Sequence, residues 1–292
     1  MTESQKTTGK TGETTRFAPS PTGRLHIGHA YAALQAFELA GSGRFLLRIE
    51  DIDAGRARPE FEAAIFEDLA WLGLTWEAPV WRQSARMPAY REAIARLDEA
   101  GLLYPCFCTR KMIAEEIANI GAAPHLTGPG PDGPVYPGTC RVLAPETRTA
   151  RIAAGESYAL RLDLSEAVAR AGELFWYDRL TGRQAMDPMP FGDIVIARKD
   201  IATSYHLAVT VDDAAQEITL VTRAADLAPA THIHRLLQAL LALPVPEWQH
   251  HALLTDADGM RLAKRAASRT IADLRAAGRD APEIWEMARA MV

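Results

Sequence analysis

The stretch from Arg16 to His29, Arg-Phe-Ala-Pro-Ser-Pro-Thr-Gly-Arg-Leu-His-Ile-Gly-His, constrains this chain more than any other. It compresses a strand, a Pro- and Gly-broken loop and a helix start into fourteen residues. Pro19, Pro21 and Gly23 stop the strand. The helix begins near Gly28, and its unpaired N–H groups and positive dipole end face whatever sits above the loop, as in a phosphate-binding device. His26 and His29, three residues apart, share a face of a helical turn and can both donate hydrogen bonds to a triphosphate. Gly28 between them lets a flat ring lie against the backbone. Taken alone, the same pair also reads as a capped helix with two surface histidines.

The rest of the chain extends this step into a nucleotide-binding sheet. A helix over Gly28 to Ala40 leads to a β-rich run, Arg44 to Glu50, that ends in Asp51-Ile-Asp53. A buried parallel strand with charge at its carboxyl end is where open α/β sheets place ligands. Phe61, Ile65, Leu69 and Leu72 form one helical stripe, bounded by Pro59 and Gly73, and Tyr90, Ile94 and Leu97 form another. Gly121 to Gly138 is rich in Pro and Gly and marks an inserted subdomain with a long loop. Tyr158 to Asp163 and Asp193 to Ala197 read as strands, and Phe175 to Tyr177 pairs with Arg183 to Ala185 around Thr181-Gly182 as a hairpin. The sheet is expected to resume with strands at Tyr205 to Val211 and Ile218 to Thr222, followed by a helix from Asp226 to Leu243 stopped by Pro244 and Pro246. The expected divisions are a flexible tail (1–15), a first nucleotide-binding half (16–101), an insertion (102–192), a second half (193–265) and a short helical end (266–292). The fold class is α/β, a doubly wound parallel sheet with an inserted α+β subdomain.

A chain of 292 residues can bury a substantial core, and 48% hydrophobic with 24% charged residues is ordinary globular composition. There is no run of about 18 apolar residues to span a membrane. The first fifteen residues are polar without an apolar core, which excludes a secretory signal and points to the cytoplasm. A net charge of −5 argues against bulk attraction to nucleic acid, while leaving room for a local basic face. The three cysteines, an odd number without a signal, argue against a disulfide framework and raise a metal site. Cys106 and Cys108, two apart on a strand, point the same way and can grip one ion. Cys140 supplies a third ligand and leaves one tetrahedral position open. Three free buried thiols are the other reading.

The Arg16 to His29 run resembles the His-Ile-Gly-His motif of class I aminoacyl-tRNA synthetases, and its lead-in, Arg16 to Gly23, resembles the glutamyl/glutaminyl branch. Met260-Arg-Leu-Ala-Lys-Arg265, after Asp256-Ala-Asp-Gly, resembles the Lys-Met-Ser-Lys-Ser loop, with Arg261 for the first lysine and Ala263 for the serine. The resemblance therefore implies ATP contacts from His26, Gly28, His29 and Lys264, with magnesium accompanying ATP. Activating an amino acid asks the protein to position two anions and to neutralise phosphate charge. A dicarboxylic amino acid needs a cation for each carboxylate and an anion for the ammonium group, and Arg16 and Glu50 meet part of that need. The resemblance adds Ala18, Ser20, Tyr205 in Ser-Tyr-His-Leu-Ala and Arg223 in Thr-Arg-Ala-Ala-Asp-Leu as glutamate contacts. Tyr205 also reads as a core-edge tyrosine, and Arg223 as the partner of Asp226 in a salt bridge.

Truncated synthetase-like proteins that glutamylate queuosine in tRNA-Asp carry a Cys-x-Cys…Tyr-x-x-x-Cys zinc site. Tyr136-Pro-Gly-Thr-Cys140 is similar to its second half, which implies one structural zinc on Cys106, Cys108, Tyr136 and Cys140. His125 is a rival fourth ligand. After Arg265 only 27 residues remain, too few for a helical anticodon-binding region. What the resemblance implies is activation of L-glutamate by ATP without tRNA, then transfer to queuosine in the anticodon stem-loop of tRNA-Asp. The alternatives are a minimal glutamyl-tRNA synthetase charging the 3′ end, and a non-catalytic synthetase-like tRNA-binding protein. The second is not expected to keep His26, His29, Glu50, Arg223 and Lys264 together.

Overall fold

The computed structural model describes residues 12–120, 129–254 and 269–291. Strand β1 (Thr14–Phe17) runs parallel to β2 (Arg44–Ile49), and β3 (Glu77–Arg82) extends this sheet beyond β2. Strand β1 takes in the last two residues of the expected tail, because Thr14 and Thr15 are already buried in the sheet. Helix α1 (Ile27–Ala40) crosses from β1 to β2 and buries Ile27, Ala30, Tyr31, Ala33 and Leu34. Its small alanines let it lie close to the strands, and Gly41 ends it at φ 57°, a backbone conformation that favours glycine. Helices α2 (Pro59–Trp71) and α3 (Met87–Glu99) follow the two expected stripes, with proline in the first turn of each.

The insertion is built on a three-stranded antiparallel sheet of β4 (Leu103–Cys106), β7 (Ala159–Leu162) and β10 (Val195–Ala197), with β7 central. Between its strands come α4 (Arg110–Ile120), the short pair β5 (Pro129–Gly130) and β6 (Gly133–Pro134), and α5 (Pro145–Ala153). Helix α6 (Leu164–Ala171) then leads to an antiparallel hairpin, β8 (Phe175–Asp178) and β9 (Gly182–Ala185).

The second half corrects three expectations. Tyr205 to Val211 is not a strand but the start of helix α7 (Tyr205–Ala215), capped by the Ser204 hydroxyl. Because α7 is buried on nearly every side, its first turns, Leu207-Ala-Val-Thr-Val211, show no polar stripe, and such a β-branched, mostly apolar stretch mimics an interior strand. After strand β11 (Leu220–Ala224), the expected long helix is split into a 3₁₀ turn at Ala225–Leu227 and α8 (Ala230–Leu240), with Pro229 at the break. An unforeseen strand, β12 (Glu247–His251), pairs in parallel with β11 and at Trp248 with Asp178 of β8. The sheet order β11-β12-β8-β9 thus draws the hairpin into the second half, across the expected boundary at 192.

The two half-sheets abut where the Thr219 N–H donates to the Thr14 carbonyl at 3.0 Å and the Thr14 N–H to Thr219 Oγ1 at 2.9 Å. The carboxyl ends of β1 and β11 therefore open side by side at a switch point, the place where doubly wound sheets bind ligands. One core, with Phe17, Leu25, Ile49, Ile65 and Leu69, also takes in Ile271 and Ile284 of the last helices, α9 (Ile271–Ala276) and α10 (Ala281–Arg289). A second joins Tyr90, Leu97, Leu162, Leu207 and Leu237, so the insertion is packed onto α3, α7 and α8. No helix among the described residues is long and apolar enough to cross a membrane.

Candidate active site

A cavity of about 440 Å³ opens at the carboxyl ends of β1 and β11, under the first turn of α1. Arg16, Ala18, His26, Gly28, His29, Glu50, Tyr205 and Arg223 all line it. Strand β1 delivers Arg16, β11 delivers Arg223, the first residue of α7 is Tyr205, and Glu50 follows directly on β2. Ser20 is exposed and absent from this lining; its carbonyl accepts the Thr22 N–H at 2.9 Å within the loop. Lys264 lies outside the described residues.

Helix α1 starts one residue earlier than expected, and the two histidines explain why. His26 Nδ1 accepts the Gly28 N–H at 3.1 Å, and His29 Nδ1 accepts the His26 N–H at 3.2 Å. This is a capping box made of imidazoles. A nitrogen that accepts an N–H carries no proton, so the remaining proton of each neutral ring sits on Nε2. Burial keeps both rings neutral: it lowers the pKa of His26, and with His26 close by it brings His29 down to about 3. The Nε2–H groups are then the donors left for an anion. Gly28 is required by this cap, since a Cβ there would stand 2.9 Å from Cε1 of His26.

Behind the cavity lies a charge network that the sequence did not announce. Arg16 donates from Nε and a terminal nitrogen to the two oxygens of Asp213, at 2.9 and 3.3 Å, and to the Thr222 carbonyl at 3.3 Å. It is therefore not a fully open fork: Asp213, shared with Arg48, and the Thr222 carbonyl already engage three of its five N–H groups. Arg48, fully buried, donates to Asp213 at 2.8 Å and to Gln216 at 2.9 Å, and lies 3.7 Å from Glu50. Tyr90 and Arg86 hold the neighbouring Asp212 at 2.6 and 3.1 Å. Burial pushes the Glu50 carboxyl up to about 7, against the pull of Arg48 and Arg16. Burial acts the same way on Asp213, but Arg16 and Arg48 outweigh it and hold that carboxyl below its ordinary value.

Arg223 is the reverse of Arg16. Its guanidinium donates to His250 Nε2 at 3.2 Å, His234 Nδ1 at 3.3 Å and Thr231 Oγ1 at 2.7 Å, all of them uncharged acceptors. Among the described residues, the hydrogen bonds of this buried cation thus go to neutral groups, while the same cavity holds a carboxylate, Glu50, poised between charge states. Burial also raises the pKa of the Tyr205 hydroxyl beside them. Arg48, Asp212, Asp213, His234 and His250 were not singled out from sequence. The one available signal was the unusual density of histidines at 232–234 and 250–251.

In the insertion, the Sγ atoms of Cys106, Cys108 and Cys140 lie within 4.8 Å of one another. Cys108 Sγ is 3.5 Å from Cys140 Sγ and 3.7 Å from the Tyr136 hydroxyl, which accepts the Cys140 N–H at 2.8 Å. Zinc–sulfur bonds of about 2.3 Å in a tetrahedron separate the sulfurs by about 3.8 Å, so the donor set fits zinc. The reason for convergence differs from the expected one. Cys106 ends β4 and Cys108 lies beyond it, so the loop after the strand brings the thiols together, not a shared strand face. Burial pushes the Cys108 thiol up to about 11; a metal would bind the thiolate. His125 lies outside the described residues.

Residues 14–288 match the family described as tRNA synthetases class I (E and Q), catalytic domain. The chain is 48% identical over 277 residues to the Glutamyl-Q tRNA(Asp) synthetase of Rhodobacter capsulatus, covering 92% of this chain and 97% of that protein. It is 45% identical over 273 residues to a protein of the same name from Symbiobacterium thermophilum, covering 90% and 81%. It is also 38% identical over 279 residues to Glutamate--tRNA ligase 2 of Nitrosococcus oceani, where it spans 57% of the relative. Among solved structures, a glutamate tRNA ligase from Elizabethkingia meningosepticum in complex with its amino acid superimposes with a TM-score of 0.72 at 25% identity, over 92% of this chain and 53% of that one.

Proposed function

The chain belongs to the class I tRNA synthetase family of the glutamyl and glutaminyl branch, and from that premise we propose that it activates L-glutamate with ATP and transfers it to queuosine in the anticodon of tRNA-Asp. The protein is a ligase of the aminoacyl-tRNA synthetase type. The observation that carries the glutamate reading is the charge layout of one cavity: Arg223 held by neutral groups among the described residues, Glu50 in the same lining, and the imidazole-capped end of α1 above. Glu50 takes the substrate ammonium, and Arg223 with the remaining N–H groups of Arg16 takes its carboxylates. Ser20 and Lys264 complete the proposed contacts, to glutamate and ATP respectively. The triphosphate lies against the α1 N-terminus, where the Nε2–H donors of His26 and His29, Lys264 and magnesium offset its charge.

One oxygen of the substrate α-carboxylate attacks the α-phosphorus, pyrophosphate leaves, and the product is glutamyl-adenylate. A ring hydroxyl of the acceptor then attacks the activated carbonyl, releasing AMP and leaving an ester. Because the base must reach the adenylate, the anticodon loop has to present it unstacked. A second cavity of about 390 Å³, lined by Tyr136, Arg161, Arg198 and His206, shares Tyr205 with the first and offers a route for it. Zinc on Cys106, Cys108, Tyr136 and Cys140 would supply a structural tie within the insertion. The queuosine acceptor is supported by relatives of that name matched over 97% and 81% of their lengths. Charging of a tRNA 3′ end is the second reading, favoured by the match to glutamate--tRNA ligases. Glutamate-dependent exchange between pyrophosphate and ATP, with magnesium and no tRNA, tests the activation step; strict dependence on tRNA would contradict it.

A further inference from the structure

Among the described residues, the groups that accept a hydrogen bond from Arg223 are neutral, and the histidines among them are fixed by longer chains of hydrogen bonds. Because His250 Nε2 accepts from the guanidinium at 3.2 Å, the ring proton sits on Nδ1, which donates to Asp178 Oδ2 at 2.7 Å. Asp178 is itself held by the backbone N–H groups of Leu180, Thr181 and His250, at 2.9, 3.1 and 3.1 Å. On the other side, His234 Nδ1 accepts from Arg223 at 3.3 Å, so His234 carries its proton on Nε2 and donates to His206 Nδ1 at 3.2 Å. His206 then donates from Nε2 to Asp132 Oδ2 at 2.7 Å. The two chains start on the same guanidinium and end on carboxylates, one imidazole and two imidazoles away.

We infer that Asp178–His250 and Asp132–His206–His234 are positioning relays that lock the Arg223 fork in place while keeping carboxylates off it, so that its whole charge is left for a carboxylate of the amino-acid substrate. An imidazole accepts a hydrogen bond without cancelling the cation. A carboxylate in its place would satisfy Arg223 more strongly and would compete with the substrate for it. The comparison is present in the same cavity: Arg16 is paired directly with Asp213, a carboxylate it shares with Arg48, whereas Arg223 is held by imidazoles and a hydroxyl. A buried cation with no anion is unfavourable for folding, which is why such an arrangement belongs at a site that binds one. The inference rests on the reading that the cavity takes glutamate.

The test replaces His234 by two side chains of nearly equal shape, His234→Asn and His234→Asp. Both lose the bond to His206, and they differ in the charge set against Arg223. In pyrophosphate exchange, the glutamate KM of His234→Asp exceeds that of His234→Asn by at least about 30-fold, the low end of what altering a buried charge pair costs, while their ATP KM values agree within about threefold. Equal glutamate KM values in the two variants would overturn the inference. A second measurement uses the unmodified protein: nitrogen-15 NMR of labelled histidines at neutral pH should show His250 as the Nδ1–H tautomer and His234 as the Nε2–H tautomer. A protonated ring or the opposite tautomer at either position would overturn the inference. Absence of glutamate-dependent exchange in the unmodified protein would instead refute the glutamate reading, and the inference with it.

Discussion

Replacing Asp213 by asparagine removes a charge from the buried network while changing little else. Oδ1 accepts the two short bonds, from Arg16 Nε at 2.9 Å and Arg48 at 2.8 Å, whereas Oδ2 takes only the longer contact of 3.3 Å from Arg16. An asparagine with its carbonyl at the Oδ1 position keeps both short bonds and loses the negative charge between two guanidiniums whose side chains are 8% and 0% exposed. Removing one partner of a buried ion pair costs about 3–5 kcal/mol. Asp212 and Glu50 stand 4.0 and 3.7 Å from Arg48 and soften the loss, so the low end, about 3 kcal/mol, is expected. With an m-value of about 3 kcal/mol/M, the urea midpoint should fall by about 1 M. The pH dependence follows from the sign of the shift. Asp213 is held below its ordinary value in the fold, so its contribution is fully present above the unfolded pKa of about 3.9 and is lost as pH falls through the folded value. The gap between parent and variant should therefore be full at neutral pH and close below about pH 4. A midpoint shift under about 0.3 M at pH 7 would refute the claim that this charge holds the two arginines.

Because burial raises Glu50 to about 7, its ionised form, which the substrate ammonium needs, is lost on acidification. kcat/KM for glutamate in the exchange assay should fall as pH drops through that value, and a flat profile from about pH 6 to 8 would contradict the role. The same shift makes the folded state hold an extra proton between the unfolded and folded values, so this group costs stability as pH rises across that window. His29→Ala should lower the activation rate by about 10²–10³ and stability by only about 1 kcal/mol, since one phosphate donor and one cap bond are lost; an unchanged rate would remove His29 from the phosphate site. Protein purified without chelator should contain about one zinc per chain, and chelation should lower its melting temperature. Zinc that stays in Tyr136→Phe but leaves in His125→Ala would reassign the fourth ligand.

How much of this was legible in the sequence depended on how local the information was. The Arg16 to His29 step could be read because proline, glycine and histidine act on their immediate neighbours, and the structure adds that the histidines cap the helix they open. Helix α7 was misread because burial on all sides erases the period that separates helix from strand. That error hid Asp212 and Asp213, which look like solvated residues until α7 carries them across nearly two hundred residues of sequence to Arg16 and Arg48. The three cysteines do come together, but for a reason other than the expected one, since a loop and not the strand pleat aligns Cys106 with Cys108. The neutral shell of Arg223 had no local signature at all. His234 and His250 reach it from α8 and β12, and β12 was itself unexpected because its Glu-Trp-Gln-His-His run shows little of an interior strand's apolar character.

The proposed acceptor is tested most directly by offering the protein labelled glutamate, ATP and magnesium with an anticodon stem-loop of tRNA-Asp that contains queuosine, alongside full tRNA whose 3′ end has been oxidised. Label should appear on the stem-loop and on the oxidised tRNA alike, in an ester to the modified base. Label found instead on the 3′-terminal ribose of a tRNA lacking queuosine would contradict the proposal and leave a glutamyl-tRNA synthetase in its place.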